Sequence, residues 1–412
     1  MRTPVLVVAG QGDTDGLVTA LLRRAGTVVV RHRFDGHVVQ RSVTSLRDQV
    51  PVTTESVLEL CHGCIACTIR NDLLKLLRQL HRWNGVERIV VHLAPWLEPE
   101  PICWAIQHVR VRLGPGFVDG PASRDVQIAG VISCLDSWQW LEQALGEDQL
   151  DDGRTVAQVA VGQAEFADIL LASQLDQPTL AVLRRLAPRA WIVRSEDHVE
   201  QALEALGAEA RRGRSDDPLG PLLAGQPPLD VDGGVGIVEF DAARPFHPQR
   251  LHEALDVLLS GVVRARGRIW LASHPATVMC LESAGGGLRV SSGGKWLAAM
   301  SDSELAYVGK QRRALAGLLW DGQFGDRHTS IVAVICGARA DDIHAALDAA
   351  LLTDDEMADP RQWCGYPDPF GDWHEEPCAD SAPTELSTPS AKPPKLRPPH
   401  SNPPRSHPGD EQ

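Results

Sequence analysis

With 412 residues, 43% of them hydrophobic, the chain is long enough for two or three domains and can bury a sizeable core. Its formal net charge of −14 argues against a generic nucleic-acid binder, which shows a basic stripe, but leaves room for one local basic patch that meets a ribosome or a protein. Nine unevenly spaced cysteines, an N-terminus without the apolar core of a signal peptide, and no apolar run of the roughly 18–20 residues that span a bilayer predict a cytoplasmic protein with reduced thiols.

The opening run Val5-Leu-Val-Val-Ala9 is short, apolar and β-branched, and Gly10 with a polar loop follows it at once. A helical stretch over 17–24 comes next, the order in which an α/β nucleotide-binding domain begins. Buried strands are predicted at 27–30, 88–92, 128–134 and 169–172, with helices such as 72–80 and 180–186 between them. Continuous apolar strands alternating with amphipathic helices predict an α/β domain over 1–210, a mainly parallel sheet with helices on both faces.

The pattern then changes. A charged run at 211–217 and a stretch rich in Gly, Pro and Asp at 222–236 read as a linker, placed at 211–234. A second unit, 235–375, carries a strand at 236–240, a helix at 249–259, strands at 268–272, 277–283 and 329–336, and a helix at 340–351. That order predicts a small α+β domain with an antiparallel sheet. Proline, serine and charge dominate 376–412, a tail too poor in apolar surface to offset its ordering entropy and therefore predicted to be disordered.

Several separated segments resemble one family. Arg244-Pro-Phe-His-Pro-Gln-Arg-Leu251, Val263-Arg-Ala-Arg-Gly-Arg-Ile-Trp-Leu-Ala272, Gly294-Lys-Trp296, Gly325-Asp-Arg327 and Leu347-Asp-Ala-Ala-Leu-Leu-Thr-Asp354 look like the signature segments of the CobW carboxy-terminal domain. In the first half, His62-Gly-Cys-Ile-Ala-Cys-Thr-Ile-Arg-Asn-Asp-Leu73 resembles the family's Gly-Cys-x-Cys-Cys metal motif and the helix after it. The resemblance to CobW-type (CobW/HypB/UreG) P-loop GTPases covers roughly residues 4 to 375. Arg31-His-Arg-Phe-Asp-Gly-His37, Val91-His-Leu-Ala-Pro-Trp-Leu-Glu-Pro99 and Asp368-Pro-Phe-Gly-Asp-Trp-His374 resemble an actinobacterial, mycobacterial-type branch. That closer likeness implies a zinc-responsive factor that recruits a ribosome hibernation factor to the small subunit.

A working P-loop needs backbone N–H groups around the phosphates, a Lys on the β/γ oxygens, and a Ser or Thr hydroxyl on Mg²⁺. Here Gly10 starts the loop and Gln11-Gly-Asp-Thr-Asp15 follows, so Gly16 stands where the Lys belongs and Leu17 where the Thr belongs. Asp13 and Asp15 bring negative charge toward a phosphate, and the like charges repel. Thr14 and Thr19 supply hydroxyls, but no Lys or Arg occurs between Arg2 and Arg23. Where the family places Glu-Thr-Ser/Thr-Gly the chain reads His92-Leu-Ala-Pro95, with Glu98 an acid farther on; where it places Asn-Lys-x-Asp the chain reads Ser173-Gln-Leu-Asp176. The nucleotide-site residues that remain are Gly10, Gly12, Gly16 and Asp176, and no hydrolysis and no GTP cofactor are expected.

Cys61, Cys64 and Cys67 form two successive C-x-x-C spacings, which let thiolates reach one tetrahedral Zn²⁺, with His62 a further candidate. Either they bind zinc or they line a loop before a helix and bind nothing. Cys103, Cys134, Cys280 and Cys336 sit in apolar stretches and read as core. His32 and His37 flank Arg33-Phe34-Asp35 after a strand, as a solvated loop or a binding surface. His247 between two prolines reads as a helix cap, and Trp270 and Trp296 as core or interface anchors. Arg264, Arg266 and Arg268 share one strand face, solvated or turned to phosphate or an acidic protein.

These readings favour a non-catalytic adaptor. Its partners, implied by the resemblance, are a ribosome hibernation promoting factor and the 30S subunit, with no DNA and no membrane. The alternative is a GTP-dependent zinc metallochaperone, with zinc as the metal at the three cysteines.

Overall fold

The apolar run at residues 5–9 forms the buried centre of strand β1 (Thr3–Gly10), every residue of it 2% exposed or less. The structure, a computed structural model, describes residues 2–61, 64–215, 223 and 225–370; the tail predicted at 376–412, part of the linker and His62 lie outside the described residues.

After β1 come α1 (Thr14–Leu22), β2 (Thr27–Phe34), β3 (Val39–Arg47), β4 (Val50–Leu58), α2 (Ile65–Leu80), β5 (Arg88–His92) and α3 (Pro99–His108). β6 (Val126–Cys134), α4 (Trp140–Leu145), α5 (Val156–Glu165), β7 (Ile169–Leu171), α6 (Gln177–Leu186), β8 (Trp191–Val193) and α7 (Val199–Glu204) complete the first half. One eight-stranded sheet has the order β4-β3-β2-β5-β1-β6-β7-β8. From β2 to β8 neighbouring strands are parallel, and β3 and β4 extend the sheet as an antiparallel hairpin.

Alternation along β1 explains why helices cover both faces. Val5, Val7 and Ala9 pack with Leu73, Leu77 and Ile106 of α2 and α3. Leu6 and Val8 pack with Leu17 and Leu21 of α1 and Ala202 of α7. A strand buried on both sides gains from apolar residues at every position, which is why its sequence runs apolar without a break.

The second half contains β9 (Val235–Ala242), α8 (Pro248–Ala254), β10 (Val262–Ile269), β11 (Thr277–Ala284) and β12 (Gly287–Lys295). α9 (Asp302–Leu305), α10 (Lys310–Leu318), β13 (Thr329–Cys336), α11 (Ala340–Ala350) and α12 (Asp354–Met357) follow. Its sheet is antiparallel, in the order β12-β11-β10-β13-β9. The α/β part with its mainly parallel sheet and the antiparallel α+β part therefore have the architecture that the sequence predicts.

Both sheets belong to one unit, Met1–Gly371. Val161 and Leu183 of α5 and α6 share a core with Val263 and Val334 of the second sheet. Gly285 (φ +49°) turns between β11 and β12 so close to the first half that a Cβ there would stand 2.6 Å from Ala157 Cβ and from Gly146 O. Beside this contact, Glu165 at the end of α5 lies 3.1 Å from both Arg264 and Arg266, and Glu282 lies 3.1 Å from Arg266 and 3.4 Å from Arg264. Arg264 and Arg266 thus face the first half; neither a solvated face nor a phosphate surface fits them.

Other expectations also shift. The chain continues as strand through Phe34, so His32 is a strand residue, 5% exposed, with Nε2 2.8 Å from Asp72 Oδ2. Only His37 stays on the turn, where Asp35 accepts from the His37 and Val38 amides. The strand expected at 268–272 is centred earlier, at β10, because its alternation begins at Val262. Trp270 and Trp296 are core, 0% and 2% exposed, and His247 Nδ1 caps α8 by accepting from Arg250 N. Among the described residues no helix is long and apolar enough to cross a membrane.

Candidate functional site

The loop after β1 lies at the carboxyl end of the parallel strands, where α/β sheets place their ligands. Two of its glycines are sterically required. A Cβ at Gly10 (φ +120°) would sit 2.0 Å from Cys134 O, and one at Gly12 2.5 Å from Leu135 O, because the loop runs against the end of β6. Gly12 N donates to Cys134 O at 2.9 Å.

The start of α1 is the place where a phosphate would meet unpaired N–H groups and the positive end of the helix dipole. Asp13 occupies it. Its Oδ1 accepts from Gly16 N at 2.7 Å, making Asp13 the helix N-cap. A phosphate oxygen cannot take that N–H while the carboxylate holds it. Asp15, in the first turn, is paired at 2.9 Å with Arg31 from β2. Leu17 is 1% exposed and contributes to the core.

The remaining polar groups of the loop are also engaged. Thr19 Oγ1 donates to Asp15 O at 2.8 Å, and Gln11 Nε2 donates to Gln163 Oε1 at 3.1 Å. His92, at the end of β5, has Nε2 3.0 Å from Thr14 Oγ1 and Nδ1 3.9 Å from Asp15. Burial, and then the Arg31 charge, push its pKa down to about 4 against the pull of Asp15, so the imidazole is neutral at pH 7. Of the cations near this loop, Arg31 is already committed to a carboxylate.

The other nucleotide-site candidates are placed as structural groups. Asp176 is the N-cap of α6, its Oδ1 accepting from Thr179 N at 2.9 Å. Ser173 Oγ lies 3.4 Å from Ser137 Oγ. Glu98 pairs with Arg154 at 2.9 Å, and Arg154 also donates to Trp96 O. Sequence reasoning named Asp13 as a repelling charge and missed its capping role, although an Asp just ahead of a helix, three residues before a first-turn N–H, is the local signal for one.

Cys61, Cys64 and Cys67 come together on one turn. Cys64 N donates to Cys61 O at 3.0 Å, and Cys64 is the N-cap of α2, its Sγ accepting from Cys67 N at 3.2 Å. Thr68 ties the turn down, accepting from Cys61 N and donating to Cys64 O, each at 2.8 Å. All three residues are partly exposed. Among the described residues no group of three or more His, Cys, Asp and Glu side chains is assembled closely enough to hold a metal. The donor set itself, three thiols on one turn, has the soft-ligand chemistry of zinc.

The other cysteines divide by burial. Cys103 and Cys134 are core, and burial pushes the Cys134 thiol up to about 12. Cys280 and Cys336 are only partly buried, with thiols also raised by burial.

Residues 31–199 match the family described as CobW/HypB/UreG, nucleotide-binding domain, and residues 235–351 match the cobalamin synthesis protein cobW C-terminal domain. The first match begins beyond the loop at 10–17. A Mycobacterium tuberculosis protein named zinc chaperone Rv0106 is 63% identical over 378 residues, covering 92% of this chain and 95% of its own. A Dictyostelium discoideum protein named zinc-regulated GTPase metalloprotein activator 1 is 25% identical over 330 residues, covering 74% of this chain and 67% of its own. A crystal structure of the Zn(II)-bound YjiA GTPase from E. coli aligns with 85% of the chain and all of its own at 15% identity and a TM-score of 0.37, too distant a likeness to carry an argument.

Proposed function

The chain belongs to the CobW/HypB/UreG family, and from that premise we propose that it is a zinc chaperone that does not hydrolyse GTP at its own phosphate loop. The observation that carries the second half of this reading is the Asp13 carboxylate on Gly16 N, which fills the anion position with the chain's own charge. The zinc half is supported by the name of the 63% identical relative and by three thiols on one turn. Zinc is the cargo, and Cys61, Cys64 and Cys67 are the residues that take it. With Zn²⁺ added under reducing conditions, equilibrium dialysis should find bound metal that the Cys61→Ser, Cys64→Ser, Cys67→Ser chain lacks. Equal zinc in both proteins defeats the cysteine assignment, and steady GTP turnover by the purified chain defeats the other half.

A second reading is the adaptor that brings a ribosome hibernation promoting factor to the 30S subunit under zinc limitation. The sequence alone ranks it first; the names of the relatives favour the zinc chaperone and reverse that order. What still favours the adaptor is the same capped loop, because a binding scaffold needs the fold and not the turnover. Tagged protein purified from zinc-poor and zinc-rich cultures separates the two. Hibernation factor and small-subunit proteins retained only in zinc-poor cells support the adaptor; their absence in both removes it.

A further inference from the structure

The last strand of the large sheet, β8, has a neighbour on one side only. A groove of ≈ 610 Å³ borders it, lined by Arg184 of α6, by Arg189, Trp191 and Arg194 of the β8 segment, and by Glu209. Among the described residues none of the three arginines makes an ion pair or hydrogen bond, whereas most other guanidiniums of this half are committed to carboxylates or carbonyls. The Trp191 ring lies between them in sequence and is 50% exposed. The groove shares no lining residue with the loop at 10–17 or with the cysteine turn.

Edge protection accounts for part of this. A three-residue strand flanked by cations resists pairing with another chain, and Arg184 in the last turn of α6 favours the negative end of that helix. Neither purpose needs a half-exposed Trp, which costs apolar surface left in water. Arg189 lies on the turn before β8 and Arg194 on the bend after it, so the three-residue strand that carries Trp191 stands between two cations. Cations along a groove with an aromatic face between them form the platform on which a base stacks while its flanking phosphates are neutralised. In a chain of net charge −14, this is the local basic patch that composition alone leaves open.

We propose that the β8 groove binds a single-stranded nucleic-acid segment, with one base stacked on Trp191 and the phosphates held by Arg184, Arg189 and Arg194. Glu209 also lines the groove and supplies an acceptor for base or sugar donors. The proposal rests on neither the zinc nor the GTP reading, and its test uses neither ligand.

Fluorescence anisotropy of the full chain against a fluorescein-labelled oligo(rU) dodecamer, with an oligo(dT) arm to show whether the 2′-hydroxyl matters, reads the site directly. Three phosphate contacts predict a slope of log affinity on log salt of about −2. Trp191→Ala should weaken binding roughly 5- to 150-fold, the range for one stacked base, while Trp191→Phe keeps most of it. The Arg184→Gln, Arg189→Gln, Arg194→Gln chain should lose binding and flatten the salt slope, with circular dichroism showing that it folds. The proposal is overturned by an absence of saturation below about 100 µM, the weak end of non-specific binding. It is equally overturned if a polyglutamate peptide displaces the probe and Trp191→Ala changes nothing, since the groove would then hold any anion or an acidic protein.

Discussion

Replacing Asp13 by Ala tests the idea that the phosphate loop is closed by the chain's own carboxylate. Two quantities set the size of the effect. A phosphate that enters must first displace the cap, and an N-cap Asp is worth about 1 kcal/mol, within a range of roughly 0.5–2. It must then sit about 4 Å from the displaced charge, a repulsion of ~1 kcal/mol in water and ~4 kcal/mol at an effective dielectric near 20. Asp13 is exposed, so the repulsion belongs near the lower value and the total is about 2 kcal/mol. Asp13→Ala should therefore bind GTP with Mg²⁺ on the order of 30-fold more tightly than the parent chain, while urea unfolding shows a loss of about 1 kcal/mol from the missing cap. Titration calorimetry reads the first quantity and denaturant midpoints the second. Strong GTP binding by the parent chain that Asp13→Ala leaves unchanged would refute the reasoning, because phosphate and carboxylate would then not compete for Gly16 N.

Three further outcomes follow from the same geometry. Glu165→Ala removes the more buried of the two carboxylates that Arg264 and Arg266 share, leaving them the more exposed Glu282; with side chains 15–30% exposed, the loss should be about 3 kcal/mol, the low end for breaking a buried pair, and Glu165→Ala combined with Arg264→Ala should cost less than the sum of the single changes in urea unfolding. Burial pushes the Glu165 carboxyl up but Arg264, Arg266 and Arg211 outweigh it and hold the carboxyl below its usual value, so this stabilisation is present above about pH 4.5 and is lost as acid protonates the folded form. His92 has the opposite origin with the same sign: its folded pKa, about 4, lies below the ordinary histidine value of 6.5, so stability is full above pH 6.5 and falls toward pH 4 by up to ~3 kcal/mol, a slope that His92→Gln should remove from melting curves taken between pH 7 and 4. Arg31 and Asp15 face the same imidazole, so Arg31→Gln should raise the His92 pKa, as seen by NMR titration of the ring protons.

What could be read in the sequence depends on how local the deciding interaction is. β5 and β13 are found where apolar runs place them, since strands buried on both faces need apolar residues at nearly every position. The β3–β4 hairpin leaves no such trace. β4 is mostly exposed, and its Thr, Glu and Ser residues are held by pairing with β3 rather than by a core. The same limit hid β12.

At the candidate site, the absence of Lys at Gly16 and of a hydroxyl at Leu17 is a property of the sequence, as are the C-x-x-C spacings of Cys61, Cys64 and Cys67. The caps that Asp13 and Asp176 make are local, three residues in reach, and legible in principle. Tertiary structure alone brought His92 from β5 to Thr14 across 78 residues and Arg31 from β2 onto Asp15. It also turned Arg264 and Arg266 inward onto Glu165, a residue about a hundred positions away. Periodicity and motif spacing record which side chains share a face or a turn; which distant charge meets that face is set by how the sheets and helices pack, and no local pattern carries it.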